Sequence, residues 1–433
     1  MSTIFDEIAI FIILSTILDE INYLCVVMSG IISRPEYLDA IQAFLGKETI
    51  IVLTGQRRVG KSYVMRDFRD KILETGSDNV IYIDKEKNQW DDIQTYKDLN
   101  NYLAQHYVPG KKNYILIDEA QEIEEFEKAV RNWRTEPNVD IVLTGSNAET
   151  LSSDLSNKLG ARFHEIHIQS VTYKDFLRFH RLEDSDSALS SFIECGGLPG
   201  LVNYSLQNLD LAKTYNQDVL NTALLRDVIL KKKIRNTTFL YNLLKFLADN
   251  TGKIISASSI SKYMKGKDSP VSIDLVLNYL NYLCEAFIVR KVERFEIRGK
   301  KLLESNEKYY FEDHGIRNTL AGESRDKDIE KVIENVIYHQ LIHDGYQVYV
   351  GQLNAGEVDF VCERKGSRCY IQASYLIASE DTHEREFGTL QGIKDNYPKY
   401  VISMNPLLTR SSDEGITHIS LREFLLSGLS AEF

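Results

Sequence analysis

The chain has 433 residues, with 51 Lys and Arg against 63 Asp and Glu, a formal net charge of −12. This length is too great for one compact core and predicts two to four domains. The acidic balance argues against a protein coated for nonspecific nucleic-acid binding, although it leaves room for one local basic patch. The five cysteines show no CxxC spacing, so we expect reduced thiols and a cytoplasmic protein.

The first 28 residues are predicted to be an extension ahead of the folded chain. They contain an apolar run from Ile8 to Leu18, which is too short to span a bilayer. No Lys or Arg precedes this run, so it lacks the positive region that begins a signal peptide. We expect no membrane association, and two interpretations stay open. The segment is either an upstream stretch before a true start near Met28, or a short amphipathic helix that packs on the body or on a partner.

Four apolar, β-branched runs indicate a parallel β-sheet in the first third of the chain. The runs are Thr49–Thr54, Asn79–Asp84, Asn113–Asp118 and Val139–Thr144. Helical stretches are predicted between them at 62–75, 95–106 and 124–134. A fifth strand, Phe163–Ile168, closes this predicted domain. Strands that alternate with helices predict an α/β fold.

The pattern changes after Ser170. Helical periodicity continues to about residue 245, broken by the turn Gly196–Gly200. Three predicted helices then precede a hairpin, Ile288–Glu296 and Lys308–Glu312, an order typical of a winged helix-turn-helix. The predicted segments are an N-terminal extension (1–28), a P-loop α/β domain (29–170), a helical lid (171–235), a winged helix-turn-helix (236–312) and a C-terminal α/β domain (313–433).

Gly55–Ser62 matches the phosphate-binding pattern GxxxxGK[ST] in full and lies between a predicted strand and a predicted helix. Its glycines let the backbone wrap so that N–H groups face a phosphate, and the next helix adds its positive N-terminus. Lys61 supplies a charge for the outer phosphates, and the Ser62 hydroxyl ligates Mg²⁺. We expect a P-loop NTPase that binds ATP or ADP with Mg²⁺. The predicted nucleotide contacts are Gly55, Gln56, Arg57, Arg58, Val59, Gly60, Lys61, Ser62 and Tyr63.

Two acids end the strand Asn113–Asp118 and follow it directly. Asp118 is predicted to hold Mg²⁺ through water, and Glu119 to orient and polarise the attacking water. Further along the chain, Asn147 follows the next strand and would sit between these acids and the γ-phosphate. Arg162 is either an arginine finger that reaches a neighbouring subunit's nucleotide, or a surface arginine.

These motifs follow one another at spacings that resemble one protein group. They are Gly55–Ser62, the box from Asp118 to Gln121, Thr144–Asn147, Ala161–Phe163 and Gly196–Pro199. The group consists of AAA+-type ATPases of bacteria and archaea with a C-terminal domain of unknown function similar to restriction-endonuclease-like nucleases. The resemblance covers about residues 30–430. It implies ATP binding and hydrolysis, a lid, a winged-helix region and homo-oligomers. The group's usual Gly-Arg-Tyr is replaced here by Ala161-Arg162-Phe163.

The predicted winged helix carries two basic stretches, Lys231–Arg235 and Arg298–Lys301. They could contact DNA phosphates. Alternatively the wing packs inside the protein, and the lysines form an ordinary solvated face.

The C-terminal domain contains a possible metal site made of Glu334, Asp359 and Gln372. A restriction-type nuclease needs such groups to hold Mg²⁺, and a Lys two residues after the last of them. Ser374 stands where that Lys would be, so a degenerate scaffold is favoured over an active nuclease.

The function predicted from the sequence is that of an ATPase that couples Mg-ATP binding and hydrolysis to rearrangement of the winged-helix and nuclease-like domains. Two alternatives stay open. One is a nucleotide-regulated DNA- or protein-binding module with little turnover, and the other is an ATP-gated nuclease.

Overall fold

The structure is a computed structural model. It describes residues 31–145, 162–265, 271–322, 325–353, 356–377, 379–405 and 411–429, without the side chains of 265, 304–305 and 325–327. Within this part, residues 31–54, 60–145 and 162–167 form one compact unit, and residues 55–59 with those from 168 onward form a second. No helix in the described ranges is long and apolar enough to cross a bilayer. The N-terminal extension, residues 1–28, lies outside them.

The first unit alternates strands and helices. Its strands are β1 (Ile50–Thr54), β2 (Asn79–Asp84), β3 (Asn113–Asp118), β4 (Val139–Thr144) and β5 (Phe163–His167). Its helices are α1 (Pro35–Gln42), α2 (Lys61–Thr75), α3 (Tyr96–His106) and α4 (Phe126–Trp133), with short 3₁₀ turns at Asn88–Trp90 and Ala120–Glu122. The α/β prediction is confirmed, and β5 ends one residue earlier than predicted.

All five strands are parallel in the order β2-β3-β4-β1-β5. Strands β1 and β4 are buried along their whole length, as continuous apolar runs covered on both faces should be. Because the strands run the same way, the carboxyl ends of β1, β3 and β4 meet at one edge of the sheet. That edge brings together Thr54, Asp118 and Thr144, which are far apart in the sequence.

The second unit begins with helices and ends with a mixed sheet. The helices ahead of the sheet are α5 (Tyr173–His180), α6 (Asp186–Cys195), α7 (Leu209–Ala223), α8 (Thr237–Asp249), α9 (Ala257–Lys265) and α10 (Ile273–Glu285). A 3₁₀ helix at Pro199–Asn203 follows α6, and a π-helical segment at Leu224–Leu230 continues α7. The later elements are β6 (Val289–Glu296), β7 (Lys301–Phe311), α11 (His314–Ala321), α12 (Arg325–His343), β8 (Gln347–Leu353), β9 (Gly356–Arg364), β10 (Ser367–Ser374), α13 (Glu380–Gln391), β11 (Lys399–Ser403), β12 (Ser411–Asp413), β13 (Ile416–Ser420) and α14 (Leu421–Ser427).

The predicted hairpin is part of this larger sheet, whose order is β12-β13-β11-β10-β9-β8-β6-β7. Strand β6 pairs in parallel with β8, so it shares a sheet with the C-terminal segment. Strand β7 begins at Lys301, whereas the sequence predicted a start at Lys308. The added residues carry Asn306, whose φ of 64° interrupts the regular strand geometry, and the β6–β7 register shifts between Val292 and Arg294. These irregularities hide the strand from a test of strict alternation.

The Gly-Gly-Leu-Pro turn is a packing junction. Its Gly197 N–H donates to Asp313 Oδ2 at 2.8 Å, and a Cβ on Gly197 would lie 2.4 Å from the Val171 carbonyl oxygen. The other carboxylate oxygen of Asp313 accepts from the N–H of Gly315 at 2.9 Å at the start of α11. Only glycine fits so close to a neighbouring backbone, which explains this motif without a role in chemistry.

Candidate functional site

Asp118 is the centre of a polar group at the edge of the first sheet. Its Oδ1 accepts from the Ser62 hydroxyl at 3.1 Å and from the Thr144 hydroxyl at 2.5 Å. Its Oδ2 is buried, with no hydrogen-bond partner among the described residues. A buried carboxylate oxygen is rarely left unpaired without a reason such as a missing ion or water.

The environment of Asp118 works against its negative charge. The pKa of Asp118 is raised to about 6, mainly by burial. Hydrogen bonds from Thr144 and Ser62 offset part of this rise, and the nearby acids Glu119 and Asp84 add to it. A bound cation would offset this cost, because opposite charge favours the ionised carboxylate.

Glu119 follows directly and has a left-handed backbone, with φ of 55°. This conformation is uncommon for a residue with a side chain, and such strained residues cluster at functional sites. The Glu119 N–H donates to Thr144 Oγ1 at 2.8 Å, and the Gln121 amide donates to the Glu119 carboxylate. Thr144 thus contacts both acids, by accepting from one and donating to the other.

Helix α2 begins at Lys61 directly after Gly60, whose φ is 99°. Glycine supplies this conformation without strain and has no side chain to cap the helix. The first N–H groups of α2 therefore need acceptors from elsewhere, as an anion site at a helix N-terminus requires. The same helix holds Ser62 against Asp118, and Lys61 is buried at its first position. Tyr63 points largely to solvent, with 52% of its surface exposed.

The preceding loop, Gly55–Val59, belongs to the second unit. Gly55 has a φ of 138°, and a Cβ there would lie 2.1 Å from the carbonyl oxygen of Ile168. Arg57 donates two hydrogen bonds to Asp227, at 3.0 Å and 2.9 Å, and both side chains are largely buried. Asp227 lies in the π-helical segment that continues α7.

Asn147 and Arg162 are the two other residues predicted to act at this site. Asn147 lies outside the described residues, so its role stays a prediction. Thr144, at the end of the same strand, is one of the described residues that contact Asp118. The sequence pointed to this strand end for a polar contact and named Asn147, but it did not assign the contact to Thr144. Arg162 is exposed directly before β5, and its carbonyl oxygen accepts from the Ile50 N–H at 3.1 Å.

The C-terminal acids come together around a residue that the sequence analysis did not nominate. Lys308 Nζ lies 2.7 Å from Glu334 Oε1, 2.6 Å from Glu357 Oε1 and 3.2 Å from Asp359 Oδ1. Gln372 Oε1 is 3.4 Å from the Asp359 N–H. We call Lys308, Glu334, Glu357 and Asp359 the lysine–carboxylate cluster.

In this cluster the cation comes from a position that the nuclease pattern did not indicate. The position two residues after Gln372 is indeed Ser374, but strand β7 supplies Lys308, whose side chain is 1% exposed. Two other basic residues of the C-terminal domain have different partners: Lys399 donates to the Asp395 carbonyl at 3.0 Å, and Arg385 is paired with Glu386.

The basic residues of the two stretches predicted to contact DNA are exposed, apart from Lys232. Lys232 is paired with Glu285 at 2.7 Å, while Lys231, Lys233 and Arg235 are exposed. The tip between β6 and β7 is exposed, but its strands belong to the large sheet. The exposed residues of α10, the third helix of the predicted winged helix, include no Lys or Arg: they are Ile273, Asp274, Leu277, Asn278 and Asn281.

Comparison with known proteins accounts for most of the chain. Residues 47–177 match the model of the AAA domain, and residues 186–327 match a domain of unknown function, DUF8612. An uncharacterized protein of Haemophilus influenzae is 32% identical over 405 residues, covering 92% of this chain and 99% of that protein. The chain belongs to the family of this protein. The AAA match covers most of the first unit, including Lys61, Ser62, Asp118 and Glu119.

Other similarities are more distant. The uncharacterized protein MJ1544 of Methanocaldococcus jannaschii is 26% identical over 389 residues, covering 86% of this chain and 84% of that protein. The Walker-type ATPase PABY2304 of Pyrococcus abyssi aligns with 67% of this chain and 96% of its own, at 15% identity and a TM-score of 0.47. Cdc6p of Pyrobaculum aerophilum aligns with 70% and 93%, at 12% identity and a TM-score of 0.30.

Proposed function

We propose that this chain hydrolyses ATP and uses hydrolysis to rearrange its helical and C-terminal segments. The observation that carries the proposal is the arrangement at Asp118. One carboxylate oxygen is held by the hydroxyls of Ser62 and Thr144, and the other is buried with no hydrogen-bond partner among the described residues. This is the donor set that a magnesium–nucleotide complex needs at the end of a P-loop strand.

The phosphate contacts are assigned to Gly55–Tyr63. Gly55 and Gly60 provide left-handed backbone positions, and the uncapped N-terminus of α2 favours negative charge. Lys61, at the first position of this helix, would bind the β- and γ-phosphate oxygens. Removal of its ammonium group should therefore weaken ATP binding more than any other single change in the loop.

Ser62 and Asp118 would hold Mg²⁺, the serine directly and the aspartate through water. When bound, this ion neutralises charge that develops on the phosphate oxygens. The residues present fit the ion, because both ligands are oxygen atoms and one buried oxygen of Asp118 has no hydrogen-bond partner in the part of the chain that the structure describes.

Glu119 is assigned as the residue that orients and polarises the attacking water. The Gln121 amide would hold its carboxylate in place, and Thr144 would fix its backbone through the N–H bond. Together these two contacts set the direction of the acidic side chain relative to Asp118. Asn147 stays a candidate for a contact to the γ-phosphate.

Coupling to the rest of the chain is supported by the ion pair of Arg57 and Asp227. A phosphate-loop residue is thereby tied to the π-helical segment that continues α7. π-Helical segments often occur at functional sites. We propose that a conformational change in the loop is transmitted to the helical lid (171–235). From the lid it would reach the winged-helix region (236–312) and the nuclease-like domain (313–433).

Arg162 is proposed to act on the nucleotide of a neighbouring copy in a homo-oligomer. Its exposure before β5 would allow this contact. If so, turnover per chain rises with protein concentration, and mixing Arg162→Ala with Glu119→Gln restores part of the activity. A turnover rate that does not depend on concentration would exclude the finger.

The decisive experiment measures steady ATP turnover and nucleotide affinity of the purified chain, with and without DNA. Lys61→Ala should abolish turnover and weaken ATP binding by at least about tenfold, because a charged hydrogen bond to phosphate is lost. Lys71→Ala on the exposed face of the same helix is the matched control and should behave as wild type. Wild-type ATP affinity in Lys61→Ala would refute the assignment. Stimulation of turnover by DNA would identify DNA as a partner.

A further inference from the structure

We propose that Lys308 is a built-in cation that takes the place of a divalent metal in the lysine–carboxylate cluster. The C-terminal acids that suggest a metal site in the sequence are, in the folded chain, ligands of an ammonium group. The cluster is therefore a metal-independent anchor of the C-terminal sheet.

The donors and acceptors of the cluster match in number. An ammonium group has three N–H donors and no acceptor. Three carboxylates, from Glu334, Glu357 and Asp359, lie within hydrogen-bond distance of Lys308 Nζ, at 2.7, 2.6 and 3.2 Å. Each N–H of the lysine can thus bind one carboxylate, so the buried charge is fully satisfied.

Two of the carboxylates accept a further hydrogen bond. The Tyr310 hydroxyl donates to the same Glu334 oxygen as the lysine, at 2.6 Å. The other oxygen of Asp359 accepts from the Ala373 N–H at 3.0 Å. A Mg²⁺ ion needs oxygen ligands at about 2.0–2.1 Å in near-octahedral geometry. These oxygens already serve other donors, and no group of three His, Cys, Asp or Glu in the described ranges is arranged to hold a metal.

Electrostatics keeps the lysine charged and a second cation out. Burial lowers the pKa of Lys308, but the attraction of Glu334, Asp359 and Glu357 outweighs it and raises the pKa above its usual value. A divalent ion on the same carboxylates would lie within a few ångströms of a permanent positive charge. Repulsion between the two cations would weaken binding of the divalent ion.

The position of the three acids indicates what the anchor does. Lys308 comes from β7, Glu334 from α12, and Glu357 and Asp359 from β9. Strands β7 and β9 are separated in the sheet by β6 and β8, so they share no backbone hydrogen bonds. The cluster therefore joins the edge strand of the sheet to its interior and to the helix packed beside it.

The test compares cation binding by the wild-type chain, Lys308→Met and Asp359→Asn, without nucleotide. Binding is followed by terbium luminescence excited through tyrosine, for which Tyr310 lies beside Glu334, and by the thermal shift caused by Mn²⁺. Asp359→Asn removes a cluster carboxylate and thereby separates binding here from binding elsewhere in the chain.

We expect no Asp359-dependent binding of either ion by the wild type. Lys308→Met removes one positive charge and should gain Mn²⁺ affinity by at least about tenfold, a gain abolished by adding Asp359→Asn. Terbium binding by the wild type that is lost in Asp359→Asn would overturn the proposal. So would a folded Lys308→Met with no gain. The wild-type titration decides the question even if Lys308→Met fails to fold, and Lys308→Arg, which keeps the charge, should exclude the ions as the wild type does.

Discussion

Asp118 lies in the parallel sheet of the first unit and Asp359 in the mixed sheet of the second, each beside other acids. In the sequence, both belong to groups of residues that suggest a Mg²⁺ site. Their surroundings in the folded chain are opposite. Asp118 is bonded to two neutral hydroxyls and keeps one buried oxygen without a hydrogen-bond partner among the described residues. Asp359 is bonded to Lys308 and to a backbone N–H, so both of its oxygens are satisfied.

The difference shows that the groups around a buried carboxylate reveal whether its charge is already balanced. Burial raises the pKa of Asp118 to about 6, which means that the ionised form is costly until a cation arrives. In the C-terminal cluster the cation is part of the chain. A motif of acids is therefore weak evidence for a metal until the cations near it are known.

The largest expected effect that tests this comparison is a loss of stability when the lysine of the C-terminal cluster is replaced. Lys308→Met leaves three acids without their cation and should lower the free energy of unfolding at pH 7 by about 3–5 kcal/mol. The loss should shrink as pH falls, because burial already raises the pKa of Glu334 to about 7 and protonation removes the uncompensated charge. Denaturant titrations at pH 5.5 and 7.5 measure both quantities. Lys301→Met, exposed at the start of the same strand, should change stability by less than about 0.5 kcal/mol.

The next effect is on chemistry at the first unit. Glu119→Gln should lower ATP turnover by about 10²–10⁴-fold while ATP affinity is retained, since only activation of water is lost. Single-turnover hydrolysis and equilibrium binding of a fluorescent ATP analogue separate the two. Glu122→Gln, an exposed acid three residues on, is the control and should turn over normally. Equal turnover in both variants would place the catalytic base elsewhere.

At Asp118 we expect a substitution to raise the free energy of unfolding of the nucleotide-free chain. Because its folded pKa is raised above the unfolded value, its contribution to stability is lost as pH rises through about 6. Asp118→Asn should therefore stabilise the nucleotide-free chain at pH 7.5 by about 1–3 kcal/mol, with little effect near pH 4. With Mg-ATP present the order should reverse, because only the wild type gains from the ligand. A variant less stable than the wild type at pH 7.5 without nucleotide would contradict this account.

The smallest effect concerns Thr144. Thr144→Val removes the hydroxyl that bonds Asp118 and the Glu119 N–H, and leaves that buried N–H without its acceptor. An unpaired buried group costs about 1–3 kcal/mol of stability. Because Glu119 also loses a contact that fixes its backbone, turnover should fall by roughly tenfold. Thr49→Val, whose hydroxyl donates to the exposed Lys47 carbonyl, is the matched control. Normal turnover in Thr144→Val would favour Asn147 over Thr144 as the polar residue that acts at this site.

Much of the first unit follows from its sequence. Strands β1 and β4 are continuous apolar runs because both faces are covered, and such runs can be recognised without knowing their neighbours. The phosphate loop is equally local, since its glycines, Lys61 and Ser62 act within one turn of chain. Asp118 and Glu119 could be placed because they end a predicted strand of the same sheet.

The parts that escaped prediction depend on contacts between residues distant in the chain. The sequence predicts the start of β7 too late, at Lys308, because Asn306 interrupts the regular strand geometry. Pairing with β6 identifies the earlier residues as part of the strand. Thr144 could be found at a strand end, but its bonds to both acids require the neighbouring strands. The tie between Arg57 and Asp227 joins two segments that share no local pattern.

The sequence by itself determined the parallel α/β sheet, the phosphate-binding loop and the pair of acids that follows β3, because short-range patterns of apolar runs, glycines and strand ends encode them. Only the tertiary structure decided that the C-terminal acids surround a lysine of the same chain. Lys308 precedes Glu334 and Asp359 on a different strand, and no spacing in the chain reports that its ammonium group lies among their carboxylates. Electrostatic energy depends on distance in space, and the fold alone sets that distance.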